Sequence, residues 1–267
     1  MKPLRTLAET RTPDGSRLTL HEHDGDIFLK LNGRQMMSSA ATASEVQLAE
    51  IACDFHPRLA NPRILVGGLG LGFTLRRVLE LADRHATVHV AECIPEVIAW
   101  NRELLAPENQ AMLKDPRVSA MVVDVFSLIK KSTRDADRYD AILLDVDNGP
   151  VAMVTTENQR LYSRRGIATI ARALNPAGRV VIWSADEDKP FFERLEREGL
   201  QVKAFEARAH ERAKRAAHRI YLAENGERAS IDPCEKPSPS AGSKDAGLPN
   251  TLLGRATAPG RLRPIFR

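Results

Sequence analysis

A chain of 267 residues, 43% apolar and 28% charged, suits one α/β domain with small additions or two small domains, and can bury a sizeable core built mostly from aliphatic side chains, since aromatics are 5%. No apolar run reaches the length of a bilayer span, and the first fifteen residues lack the apolar centre of a signal peptide. The net charge of +4 is mild, and the basic clusters (Arg208, Arg212, Lys214, Arg215 and Arg219, then Arg255, Arg261, Arg263 and Arg267) carry neither aromatic interleaving nor an RNA-binding motif, so they read as a solvated loop and tail, not a nucleic-acid surface.

Residues 1–40 form a small β-rich region. Leu18 and Leu20, then Ile27, Leu29 and Leu31, alternate with polar residues, and the dipeptides Asp24-Gly25 and Asn32-Gly33 supply tight turns between them. Residues 42–55 have helical spacing, with Val46, Ala49, Ala52 and Phe55 on one face and a capping box at Thr42/Glu45 or Ser44/Gln47. Ile64, Leu65 and Val66 then run into Gly67, Gly68, Gly70 and Gly72, and a helical pattern follows from Phe73 to Leu81. Strand, glycine turn and helix make the first half of a nucleotide-binding βαβ unit.

Further strands are predicted at 87–92, 118–123, 140–144 and 179–183. Helices follow at Pro95, around Leu128-Ile129, over 158–174 and over 189–198. Two closing strands, 201–205 and 218–223, flank the basic loop. The alternation predicts an α/β Rossmann-like fold with a mostly parallel seven-stranded sheet over 41–224. Residues 225–267 hold six of the sixteen prolines, with Ser, Gly and Lys, and are expected to be disordered. Cys53, Cys93 and Cys234 form no CxxC pair, which indicates no metal site and fits a reducing cytoplasm.

Ligands of open α/β sheets sit at the carboxyl ends of the strands. Here those ends carry the turn Gly68-x-Gly70-x-Gly72, then Glu92, then Asp124, then Asp145 with Asp147 beside it. Glu92, twenty residues past Gly72, can accept hydrogen bonds from both ribose hydroxyls; Asp124 can receive an adenine amino group; Asp145 and Asp147 can hold or deprotonate a cationic substrate. A dinucleotide GxGxxG turn would want glycine at 73. Phe73 stands there instead, which fits an adenosylmethionine-type turn better.

Four blocks resemble the spermidine synthase family. Residues 68–79, GLGLGFTLRRVL, are similar to its GGGDGGTLREVLR signature. ECIPEVI at 92–98 is similar to its acidic ribose segment, DPRV at 115–118 with Asp124 to its adenine-contacting block, and YDAILLD at 139–145 to its YDVIIVD. The resemblance runs from about residue 31 to 223. It implies a class I methyltransferase fold with a small N-terminal β meander, and a nucleoside held by Gly68, Gly70, Gly72, Glu92 and Asp124. It also implies Asp145 as catalytic base or amine anchor with Asp147 beside it, and Glu50 as the remaining member of a substrate-binding Tyr-His-Glu. The donor would be S-adenosylmethionine or its decarboxylated form, the partner a small molecule such as a polyamine, with no metal and no membrane; a homodimer is compatible. Three departures stand out. Leu71 replaces the family's turn aspartate, Leu48-Ala49 replace Tyr-His, and VDNGP is two residues shorter than the family's SSDPVGP. Aminopropyl transfer, methyl transfer to another acceptor, and a non-catalytic nucleoside-binding or dimerisation module therefore all remain open at this level, with a dehydrogenase a distant fourth.

Overall fold

The computed structural model describes residues 3–55, 59–134, 137–146 and 158–226. Four strands, β1 (Arg5–Arg11), β2 (Arg17–His23), β3 (Asp26–Leu31) and β4 (Arg34–Ser38), form an antiparallel meander in chain order. The turn dipeptides lie where expected, with Asp24 and Asn32 at positive φ ahead of their glycines. One face, carrying Leu18, Leu20, Leu29 and Leu31, is buried.

The second sheet has seven strands in the order β10-β11-β9-β8-β5-β6-β7. They are β5 (Arg63–Gly67), β6 (Thr87–Glu92), β7 (Val118–Val122), β8 (Tyr139–Leu144), β9 (Leu174–Ser184), β10 (Leu200–Ala207) and β11 (His218–Asn225). β5 to β9 are mutually parallel, and β11 is inserted antiparallel between β9 and β10. This is the class I methyltransferase-like topology. The central strands explain why the sequence shows apolar runs there and not alternation. Along β5, Ile64 and Val66 enter one core and Leu65 the other; along β8, Ala141 and Leu143 face one way and Ile142 and Leu144 the other. A strand buried on both faces must be apolar at every position.

The helices are α1 (Ala43–Cys53), α2 (Phe73–Leu81), α3 (Pro95–Glu103), α4 (Pro107–Leu113), α5 (Val125–Arg134), α6 (Gln159–Tyr162), α7 (Arg164–Ala173) and α8 (Lys189–Arg197). Three differences from the sequence expectation have physical causes. The single helix expected over 158–174 is broken at Ser163, whose extended backbone (ψ 159) starts a new helix and whose Oγ accepts the Gly166 N–H at 3.1 Å. α4 was not expected because its sequence, PENQAML, is mostly polar; it is held by Pro107 in its first turn and by the buried Asn109 and Met112. On α1 neither capping box forms. Its core stripe is Glu45, Leu48, Ala49 and Ala52, one residue round from the expected face, and Val46 is only half-buried. No helix among the described residues is long and apolar enough to cross a membrane. The expected disordered tail lies, from residue 227 onward, outside the described residues.

Candidate nucleoside and amine site

The strand order reverses between β5 and β8, and parallel sheets open a crevice at such a point. The crevice here is a cavity of about 370 Å³, within the usual range of small-molecule sites. Its floor comes from Gly68, Gly70, Glu92, Asp124 and Asp145, and its roof from the meander side chains Leu18, Leu29, Leu31, Met36 and Met37. A more open groove of about 600 Å³ lies along the basic loop. Its acids (Asp186, Glu187, Glu206) and bases (Arg208, Lys214, Arg215, Arg219) largely offset one another, and it receives no residue from the carboxyl ends of β5, β6 or β7.

The glycine turn is shaped from both sides. Gly68 adopts φ +89, and a Cβ there would collide with the Asp145 carbonyl oxygen. Gly70 adopts φ +49 with its bare face against the Met37 sulfur. Side chains are excluded where β5, β8 and the meander converge, so the turn packs its main chain directly against Asp145 and Met37. Behind the turn, the buried Asn101 donates to the Gly70 carbonyl at 2.9 Å and Asn109 to the Leu71 carbonyl at 2.8 Å, and Asn109 Nδ2 also donates to Asn101 Oδ1 at 2.7 Å. These two asparagines brace the turn.

Glu92 ties the turn to the next strand. Its Oε2 accepts the Leu69 N–H at 3.0 Å and its Oε1 the Ile94 N–H at 2.9 Å. Burial raises its pKa, and the backbone donors at Ile94, Leu69 and Gly70 oppose that shift. The Leu69, Ile94 and Gly70 N–H groups and the Cys93 thiol occupy most of the carboxylate's acceptor positions, so the turn and the start of the next loop fix its orientation in the cavity. Asp124 caps α5 through the Ser127 N–H at 2.8 Å and pairs with Arg160 at 2.9 Å.

Asp145 lies at the end of β8. Its N–H donates to the Gly67 carbonyl at 3.0 Å, and its Oδ2 accepts the buried Thr74 hydroxyl at 3.1 Å. Burial raises its pKa to about 6, against the Thr74 hydrogen bond. Glu45 of α1 lines the same cavity at 7% exposure. Burial and then the negative charge of Asp145 push it up to about 7. Two carboxyl groups in one poorly solvated space titrate as a pair, and one proton is retained well above the ordinary carboxylate range.

The structure therefore brings together Gly68, Gly70, Glu92, Asp124 and Asp145. It does not bring Gly72 or Glu50. Gly72 is the N-cap of α2 at φ 85, and its open side faces Asn109 and Met112, away from the cavity. Glu50 is exposed on the outer side of α1 and paired with Arg77 at 2.7 Å, because 45 and not 50 falls on the inward stripe. Leu71 packs in the core at 3% exposure and does not line the cavity. Asp147 lies outside the described residues. Among the described residues no group of three or more His, Cys, Asp or Glu could hold a metal ion.

Sequence reasoning missed Glu45, the two asparagines and the apolar roof. The signal for Glu45 was present: it stands three and four residues before Leu48 and Ala49, a charge in line with an apolar stripe. Trp183 of β9 lines the cavity, and its Nε1 is buried with no acceptor among the described residues.

Fold and cavity define a class I methyltransferase-like domain with a small-molecule-sized cavity at its strand ends. The spermine/spermidine synthase domain model matches residues 43–213, and the chain belongs to that family. A polyamine aminopropyltransferase 1 of Hyperthermus butylicus is 31% identical over 170 residues, which cover 61% of this chain and 54% of the relative. A polyamine aminopropyltransferase 1 of Streptomyces coelicolor is 30% identical over 180 residues, covering 66% of this chain and 31% of the relative. The chain thus spans about half, or less, of the curated relatives' length. A solved spermidine synthase of Thermotoga maritima superposes with TM-score 0.65 at 18% identity, over 84% of this chain and 74% of that one. A spermidine synthase in complex with the transition-state analogue AdoDATO gives 0.64 at 18% identity, over 84% and 73%. Both share this fold.

Proposed function

We propose that the protein transfers an aminopropyl group from decarboxylated S-adenosylmethionine to a primary amine, with a polyamine precursor as the acceptor class. The observation that carries the reading is Asp145: a carboxylate with a raised pKa, at the end of β8, sharing a cavity with the glycine turn and Glu92. Family membership supports this donor class.

The residues fit a thionucleoside. Glu92 and the main chain at Gly68 and Gly70 line the cavity together, which offers a carboxylate and backbone groups to a ribose diol. Asp124 keeps acceptor capacity beside its Arg160 pair for an adenine amino group. Asp147, outside the described residues, is proposed to flank the acceptor. The donor supplies a sulfonium-activated carbon. The protein must hold the amine against that carbon and take its proton, because an ammonium has no lone pair with which to attack. A carboxylate raised towards neutrality is a better base for that step than an ordinary aspartate.

Position 71 does not favour methyl transfer. A leucine buried in the core neither contacts a donor carboxylate nor makes room for one. Thermal-shift ranking of decarboxylated S-adenosylmethionine, S-adenosylmethionine, 5′-methylthioadenosine and NAD, followed by mass spectrometry of reactions with putrescine, tests the proposal. The expected result is stabilisation by the decarboxylated donor and by methylthioadenosine, with an aminopropylated amine as product. No shift with any adenosyl compound would refute it.

A further inference from the structure

Glu45 is a buried acid with no cation paired to it among the described residues. Its donors among the described residues are the Ser44 hydroxyl, 2.6 Å from Oε2, and its own backbone N–H. The cations of α2, β9 and β11 are engaged elsewhere, and those of the loop after β10 that meets α1 at Ala43 and Ala209 (Arg208, Arg212, Lys214 and Arg215) are exposed. On α2, Arg76 donates to Asn109, and Arg77 pairs with Glu50 and Glu80. Arg179 of β9 pairs with Glu224, Arg219 of β11 pairs with Glu206 and Glu187, and His218 of β11 lies against the Trp183 ring. Lys203 of β10 is exposed. The group that faces Glu45 from β8 is Asp145, another acid, and the remaining titratable groups of the cavity are Asp14, Glu92, Cys93 and Asp124. Burying two carboxyls without a cation is costly, and a fold that keeps them leaves a seat for one.

We propose that Glu45 and Asp145 together form the seat of the attacking amine, with Glu45 as a second catalytic carboxylate that shares the proton Asp145 removes. This rests on the amine-alkylation reading above and names a residue for it. The apolar roof of Leu29, Met36 and Met37 confines the ammonium to the two acids. A bound R–NH3+ meets both acids ionised, and one proton passes to the pair. The freed nitrogen lone pair forms the N–C bond as the C–S bond breaks. The electron pair of that bond stays on sulfur, which leaves as a neutral thioether, and the product is R–NH2+–R′. The proton held by the pair then goes to solvent. Net charge is unchanged at each step.

Near pH 6.5 the empty pair holds a proton, so an incoming ammonium must expel it. Titration calorimetry with putrescine and with n-butylamine, in buffers of different ionisation enthalpy and with or without 5′-methylthioadenosine, reads that proton directly. The expected result is release of about one proton per amine bound in the wild-type protein. E45Q should release less than half as much and bind at least about tenfold more weakly, E45D should recover part of both, and methylthioadenosine affinity should be unchanged in both variants. Equal proton release and amine affinity in E45Q would overturn the proposal, as would methylthioadenosine binding with no amine binding at all. Failure to bind methylthioadenosine would instead overturn the donor reading, and the amine titration would still judge the seat.

Discussion

Replacing Glu45 by glutamine should stabilise the ligand-free protein at alkaline pH while disabling it. In the folded chain the Glu45 carboxyl is held up to about 7, from 4.5, chiefly by burial at 7% exposure. Each unit corresponds to about 1.4 kcal/mol, so ionising Glu45 costs the native state up to about 3 kcal/mol. Asp145 is displaced too, but the two share one electrostatic problem and their costs do not add. The sign follows from proton counting. Between the unfolded value and the folded one the native state binds more protons, so stability falls as pH rises through that window and levels off above it. Glutamine keeps an acceptor for the Ser44 hydroxyl and carries no charge. The gain for E45Q should therefore approach about 3 kcal/mol at pH 8, roughly 6–12 °C in Tm for a domain of this size, and shrink below about 1 kcal/mol at pH 5. Scanning fluorimetry of both proteins at the two pH values checks this. A variant less stable than wild type at pH 8, or a difference that ignores pH, would refute the argument that Glu45 is a strained ligand seat.

Other residues give sharper local tests. Glu92→Gln turns an NH2 group towards one of the two backbone N–H donors at Leu69 and Ile94; methylthioadenosine affinity should drop at least about tenfold, and Tm should fall. Gly68→Ala meets both positive φ and the Asp145 carbonyl, so it should lose more than about 1 kcal/mol in denaturant titration and abolish the methylthioadenosine shift. Ser163→Ala removes the cap of α7, far in role from the site. About 1 kcal/mol of stability should be lost with nucleoside affinity intact.

The parallel sheet was readable because its central strands are buried on both sides and so spell out continuous apolar runs, each ending in a glycine or an acid. The glycine turn, Glu92, Asp124 and Asp145 were readable for the same reason: strand ends in such a sheet converge on one crevice. What the chain does not declare locally is which side of a helix points inward. Val46 and Glu45 are adjacent, and tertiary packing against α2 and β9 selects the stripe that contains the acid, leaving Glu50 outside with Arg77. Leu71 misled for a related reason. Alignment places it in the turn, but the turn's geometry directs its side chain into the core. Asn101 and Asn109 are invisible to periodicity because their work is to meet buried carbonyls of a loop some 30 or more residues earlier.

Amine alkylation at Asp145 is the centre of this account. The most direct measurement is mass spectrometry of products formed from decarboxylated S-adenosylmethionine and putrescine by the wild-type protein and by Asp145→Asn. Wild type should yield the aminopropylated amine with methylthioadenosine. Asp145→Asn should bind methylthioadenosine equally well and turn over about 10²–10⁴-fold more slowly. A methylated amine from S-adenosylmethionine, or full-rate turnover by Asp145→Asn, would contradict it.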